Sequence, residues 1–267
     1  LAVSGCASAL SSFQPAHVGP KGQVRAEVGS DVAIPTATIA SSLDAAKTLA
    51  SAARTRELSE AEKTELFKAG LNLALNAPSL VNHVGITYNP ADQWEVGLRY
   101  AGSAWRLGGR RQLLTQTTDG TDLSVGVGVS RATYEFPISD IIDVVRLNDF
   151  ERWNIDVPIT AGWQGPAHRI WLGPRLAYMH HSASMTIQVP GDPTGVAEDD
   201  VASSEGDGFF VGALAGAAVG YRWLFVAAEL SIVRLLGDAE LNVFGRTTSA
   251  DTSSWIITPG LALMGEF

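Results

Sequence analysis

Residues 224–233 read Leu224-Phe225-Val226-Ala227-Ala228-Glu229-Leu230-Ser231-Ile232-Val233, and the chain closes on Trp255-Ile256-Ile257-Thr258-Pro259-Gly260-Leu261-Ala262-Leu263-Met264-Gly265-Glu266-Phe267. In the first stretch Leu224, Val226, Ala228, Leu230 and Ile232 alternate with Phe225, Ala227, Glu229, Ser231 and Val233. In the second, Trp255, Ile257, Pro259, Leu261, Leu263 and Phe267 share one face, with Thr258, Gly260, Ala262 and Glu266 on the other. A period of two means strands, because successive side chains leave opposite sides of the pleat. With the segment from Gly208 before them, these stretches form three long β-segments in succession.

The same rhythm runs through most of the chain. In residues 22–34, Val24, Ala26, Val28, Val32 and Ile34 oppose Gln23, Arg25, Glu27 and Asp31. Trp94, Val96, Leu98 and Tyr100 oppose Glu95 and Arg99, and at Gly102-Ser103 the apolar phase slips by one, which places a tight turn there. The pattern predicts ten antiparallel strands: 22–34, 81–88, 93–101, 103–114, 122–136, 152–164, 168–189, 208–221, 223–246 and 249–267. Tight turns fall near 90, 165 and 222, and longer loops cover 137–151 and 190–207. An eight-strand alternative merges 93–114 into one bulged strand and leaves 22–34 outside. Residues 39–77 break the rhythm with helical spacing, and Ser59 followed by Glu62 forms a capping box. A helical hairpin inserted between strands follows, as a packing element or plug rather than a partner-binding module.

Hydrophobic residues make up 46% of the 267 and charged ones only 18%, yet no apolar run is long enough for a membrane helix. A transmembrane β-barrel reconciles the two, since only alternate residues need be apolar. A lipocalin-like soluble barrel would have the faces reversed. Here the broad apolar faces carry Trp, Ile, Leu and Val, and the opposite faces carry small residues plus Arg25, Glu27, Asp31, Glu95, Arg99, Asp156, Arg175 and Glu229. Charges of both signs predict a paired polar network filling a narrow lumen, with Arg99 and Arg175 as partners for Glu229. Trp94, Trp153, Trp163, Trp223 and Trp255 lie near strand ends, as aromatic girdles require. The net charge of −9 offers no basic stripe for nucleic acid.

From about residue 20 onward the chain resembles the bacterial outer-membrane β-barrel proteins. The resemblance rests on units such as Asn89-Pro90-Ala91-Asp92-Gln93-Trp94-Glu95-Val96-Gly97-Leu98-Arg99-Tyr100 and on the close at Phe267. That terminal phenylalanine resembles the signal read by the barrel-assembly machinery, although Gly265 stands where the signal has a bulky residue. The opening Leu1-Ala2-Val3-Ser4-Gly5-Cys6 resembles the lipobox of bacterial lipoproteins, which implies cleavage before Cys6 and its acylation. Residues 1–21 then read as signal remnant, lipidated cysteine and linker, and 22–267 as the barrel. The resemblance implies residence in the outer membrane with the acyl anchor in the periplasmic leaflet. Its implied partners are outer-membrane lipids, the assembly machinery during biogenesis and other envelope proteins.

Candidate chemistry is sparse. His180-His181-Ser182 resembles the His-x-Ser pair of outer-membrane lipid A deacylases, but Ala183 departs from that pattern and the sequence identifies no acidic orienter. Asp192, Glu198, Asp199, Asp200, Glu205 and Asp207 crowd one loop without calcium-loop spacing. Arg110 and Arg111 read as rim charges within reach of lipid phosphates. No cofactor motif is present; Gly126-Val127-Gly128 lies within an alternating strand and opens no helix. Three roles remain: a structural or interaction component of the envelope with a filled lumen, a narrow solute pore, or a lipid A hydrolase using His180 and Ser182.

Overall fold

The computed structural model describes residues 11–36, 44–45, 47–52, 56, 58–75, 78–133, 145–187 and 201–267. Twelve strand segments form one antiparallel sheet: β1 (Val24–Pro35), β2 (Ser79–Ala91), β3 (Trp94–Ala101), β4 (Ala104–Leu114), β5 (Asp122–Thr133), β6 (Val145–Asp156), β7 (Ile159–Gly165), β8 (His168–Ile187), β9 (Val201–Tyr221), β10 (Leu224–Val243), β11 (Arg246–Asp251) and β12 (Ser254–Glu266). β1 pairs with both β2 and β12, so the sheet closes into a barrel. β6 and β7 are one stave interrupted at Val157-Pro158, because both pair with β5 and β8. β11 and β12 likewise continue one another along β10, with a break at Thr252-Ser253. The barrel therefore has the ten staves that the alternation predicts. The eight-strand alternative fails: β3 and β4 pair across a two-residue turn at Gly102-Ser103, and β1 is a full stave. Two expected boundaries move. β6 begins at Val145 rather than 152, and β9 at Val201 rather than 208, because both run past the point where their outer faces stop being apolar.

One end of the barrel carries short turns at 92–93, 115–121, 166–167 and 222–223, together with Phe267. The turns at 102–103 and 244–245 lie at the other end, with the strand ends Pro35, Ser79, Thr133, Val145, Ile187 and Val201. At the turn end, residues 116–119 make a single helical turn, labelled α2; the longer α1 (Glu60–Leu75) belongs to the other end. Residues 44–45 and 47–52 are helical too. Ser59 caps α1 reciprocally: its N–H donates to Glu62 (3.0 Å), whose own N–H donates back to Ser59 Oγ (3.4 Å).

The solvent logic of the wall reverses along its length. On β9 the outward residues from Tyr221 to Phe209 are apolar, while Asp207, Glu205 and Ser203 beyond them are polar. On β10 the outward run Leu224, Val226, Ala228, Leu230 and Ile232 gives way to Arg234, Leu236, Asp238, Glu240 and Asn242, polar but for Leu236. Inside, the order is opposite. Glu229 and Ser231 point in at the turn-end half, whereas Val233, Leu235, Leu241 and Val243 point in above. The register between β9 and β10 runs unbroken through this change, from Leu224 beside Tyr221 to Val243 beside Ala202. The twelve residue steps from Tyr221 to Phe209 span about 40 Å along the strand, or about 30 Å along the axis at a tilt near 40°. Exposed aromatic rings border the apolar band: Tyr88, Trp94, Trp163, Tyr221, Trp223 and Phe267 at the turn end, and Tyr100, Trp105, Trp153, Phe209 and Trp255 at the other.

Above the band the barrel is a cup packed like a soluble domain. Leu66, Phe67, Leu71 and Leu73 of α1 are fully buried against Phe150, Met179, Met185, Phe210, Leu235 and Leu241 of the wall. Arg152, buried with them, donates to the carbonyl of Leu75 at the C-terminus of α1 (3.4 Å), the helix end that favours a cation.

Candidate functional site

The lower lumen holds charges that cannot stay buried unless paired. The eight inward residues named from the sequence are all buried there. Arg25 reaches Glu95 at 2.6 Å, Arg99 sits between Glu27 (3.4 Å) and Asp31 (3.5 Å), and Arg175 lies 4.0 Å from Asp156. Alternation alone could have added Arg106, which grips Asp156 through two nitrogens (2.9 and 2.7 Å). It could also have added Arg110. The expectation that Arg110 is a rim charge is wrong: it faces inward, 3% exposed, and binds Glu95 at 2.8 Å. Arg111, on the outward phase, lies 5.5 Å over the ring of Trp94 in the turn-end girdle. His83 completes the cluster, 3.6 Å from Asp31 and 3.9 Å from Glu27.

Glu229 is the exception to the expected pairing. Its carboxylate accepts hydrogen bonds from the main-chain N–H of Ser12 (2.6 Å) and Phe13 (2.9 Å) and from the indole of Trp171 (2.8 Å). Trp171 is the one tryptophan of seven that points inward. The donors on Ser12 and Phe13 reveal what the sequence reading missed. Residues 11–20, expected as part of a linker, run inside the barrel from the turn-end mouth to mid-lumen.

The wall holds this segment mostly by its backbone. Arg99 donates to the carbonyl of Ser11, whose hydroxyl bonds Asp31. Arg110 donates to the carbonyls of Pro15 and His17, and Gln112 accepts from the N–H of Val18 (2.8 Å). At the mouth Lys21 N–H donates to Asp92 (2.9 Å) and Gly22 N–H to the carbonyl of Asn89 (2.8 Å). Side chains add to this hold: the Ser12 hydroxyl donates to Glu229 (3.4 Å), the His17 ring lies 3.6 Å from Asp122, and Phe13 is the most enclosed. Phe13 is fully buried, stacked on His83 at 5.1 Å and packed with Trp171, Phe225 and Met264. Gly260 leaves its seat open, since a Cβ there would lie 2.9 Å from the Phe13 ring.

The His180 and Ser182 pair lies elsewhere, on the outward face of β8 just beyond the apolar band. His180 Nδ1 is 3.0 Å from Asp207, which also accepts from Tyr178 (2.5 Å), so an acidic neighbour exists across the strand pair. The other ring nitrogen is 3.7 Å from Glu205, and Ser182 Oγ has no hydrogen bond among the described residues. The serine–histidine link that nucleophile activation needs is not assembled. Glu205 and Asp207 are strand residues, while Asp192, Glu198, Asp199, Asp200 and Cys6 lie outside the described residues. Among the described residues no three His, Cys, Asp or Glu side chains are grouped to hold a metal ion.

No protein-family model matches the chain, and no curated protein matches it. Solved structures with a similar course include Ail, the attachment invasion locus protein of Yersinia pestis (8% identity, TM-score 0.32, 92% of this chain and 99% of that one). Neisserial surface protein A follows at 12% identity, TM-score 0.32 and coverages of 92% and 96%. The outer membrane protease OmpT from Escherichia coli follows at 9%, 0.37, 97% and 100%. These scores are low, so the fold rests on the strand order and register rather than on the likeness.

Proposed function

We propose that the chain is an outer-membrane β-barrel that stays closed and serves as a structural or interaction component of the cell envelope. A lipid exterior is supported by the continuous apolar band, about as tall as the bilayer hydrocarbon, and by its two aromatic borders. The turn end, which holds Phe267, is then periplasmic, and the cup with α1 projects outward. The observation that carries the closed reading is occupancy of the lumen: residues 11–20 fill its lower part and α1 its upper part. The inward charges are nearly balanced as well. Arg25, Arg99, Arg106, Arg110, Arg169 and Arg175 face Glu27, Asp31, Glu95, Asp122, Asp156, Glu229 and Glu266, which gives little field to select an ion. In planar bilayers the purified full-length chain is expected to give no steady step current. A reproducible ohmic conductance from the folded protein would refute the closed reading.

An acyl group on Cys6 in the periplasmic leaflet belongs to this proposal, with a geometric condition. Five residue steps lead from Cys6 to Ser11 and span at most about 17 Å. Ser11 bonds Asp31, seven steps along β1 from Val24, which is about 18 Å above the turn end at a 40° tilt. A periplasmic anchor is therefore compatible with the docked segment only if the chain from Cys6 to Ser11 runs nearly straight toward the turn end.

A further inference from the structure

We infer that the lower lumen is a binding site for a peptide segment that bends at one aromatic residue, entered from the turn-end mouth and occupied by the chain's own residues 11–20. The inference rests on the closed-barrel reading and says what the closure is made of. Its first support is the kind of group the wall contacts. The carbonyls of Ser11, Pro15 and His17 and the N–H groups of Ser12, Phe13 and Val18 meet Arg99, Arg110, Glu229 and Gln112. These groups belong to any backbone that bends as this one does at Phe13 (φ 46°), so such contacts give affinity with little demand on sequence, as in other main-chain recognition modes. The second support is the one enclosed aromatic pocket. Phe13 is enclosed by His83, Trp171, Phe225 and Met264, with the missing side chain of Gly260 making its space. The third is the chemistry left behind on departure. Glu229, Arg99 and Arg110 would face water in a vacated lumen, which suits charged groups, whereas a vacated apolar core would have no such substitute. The segment is thus built to be exchanged, unlike the α1 packing above it.

The test uses the full chain with Cys6→Ser and a single reporter at Ser12→Cys, a position held chiefly by its main-chain N–H (2.6 Å to Glu229) and only weakly by its hydroxyl (3.4 Å). Lys21→Cys at the exposed mouth is the reference, and folded variants are identified by their unheated electrophoretic mobility. A water-soluble maleimide is expected to label Ser12→Cys at least about tenfold more slowly than Lys21→Cys. Adding Glu229→Gln should raise the Ser12→Cys rate by about tenfold, because charge-assisted main-chain bonds are lost. A synthetic peptide with the sequence of residues 9–20 should raise it saturably, and the same peptide with Phe13→Ala should not. Equal labelling at both positions would show that the segment is not docked. Slow labelling that neither Glu229→Gln nor the free peptide changes would overturn the exchangeable site while leaving the closed barrel intact. Conductance, measured separately on the Cys6→Ser chain, judges the closed reading alone.

Discussion

Replacing Leu261 with arginine probes the reversal of the wall directly. Leu261 is outward on β12, 64% exposed, with Ser30 and Ala228 as its register neighbours. It lies six residues from Phe267 and six from Trp255, so it marks the middle of the apolar band. Six steps of about 3.3 Å, tilted by about 40°, place it about 15 Å from either girdle, at the bilayer midplane. An arginine on the lipid face of a barrel costs about 2–4 kcal/mol at that depth and about 0–1 near the interfaces. Leu261→Arg is therefore expected to destabilise the barrel by about 2–4 kcal/mol. Glu240→Arg, equally outward on β10 but beyond the band, should change stability by less than about 1 kcal/mol. The assay is urea-dependent folding into phosphatidylcholine vesicles, followed by tryptophan fluorescence for both variants. Equal costs at the two positions, or a larger cost at Glu240, would refute the assignment of lipid to the band and water to the upper wall.

The cup makes the complementary prediction. Leu241, inward and fully buried, should cost about 2–5 kcal/mol when cut to alanine, whereas Leu263→Ala on the lipid face should cost less than about 1.5 kcal/mol in the same assay. His181, above the band, is fully buried beside Phe150, and burial lowers its pKa from 6.5 to about 4. The folded imidazole stays neutral where the unfolded one gains a proton. The stability contribution is thus complete above pH 6.5 and falls away toward pH 4, by about 3 kcal/mol at most. Urea midpoints of the chain should drop over that window by more than those of His181→Phe. Ser59→Ala removes one half of the cap on α1 and should weaken that helix by about 1 kcal/mol, read as faster amide exchange at Glu60–Thr64 with the barrel strands unchanged.

The staves were legible because alternation is a local property of each strand and survives in any barrel. Phase was harder to interpret. At Gly102-Ser103 a slip of the apolar phase does mean a turn, because the chain reverses there. Between Ile232 and Leu235 the phase slips equally, yet β10 continues without a bulge. What changes at that point is the medium outside the wall, and a strand crossing from hydrocarbon into water must exchange its apolar and polar faces. The cue was present in Asp238, Glu240 and Asn242 alternating with Leu241 and Val243. Reading it required treating the strand as passing through two solvents. The late start assigned to β9 has the same origin, since Ser203, Glu205 and Asp207 look like loop when only an apolar outer face counts as strand. The luminal segment had no such cue. Ser11 to Pro20 lacks periodicity and carries two prolines and a glycine, so nothing local separates it from a tether.

The missing partner was nevertheless written elsewhere, in Glu229. A carboxylate on the inward phase of a strand, with aliphatic or small neighbours on either side, must find donors inside the barrel. Arginines on other staves were the available candidates by sequence. The structure shows Arg99 committed to Glu27 and Asp31, and Arg175 nearest Asp156, so neither supplies Glu229. Its donors come instead from Trp171 and from the backbone of a segment distant in sequence by more than two hundred residues. Backbone donors carry no residue identity, so sequence inspection cannot assign them. This is also why the site can serve a different chain: any peptide whose backbone bends as this one does, with Phe13 at φ 46°, turns the same N–H pair toward Glu229, and the ring seated beside Gly260 adds the side-chain selection.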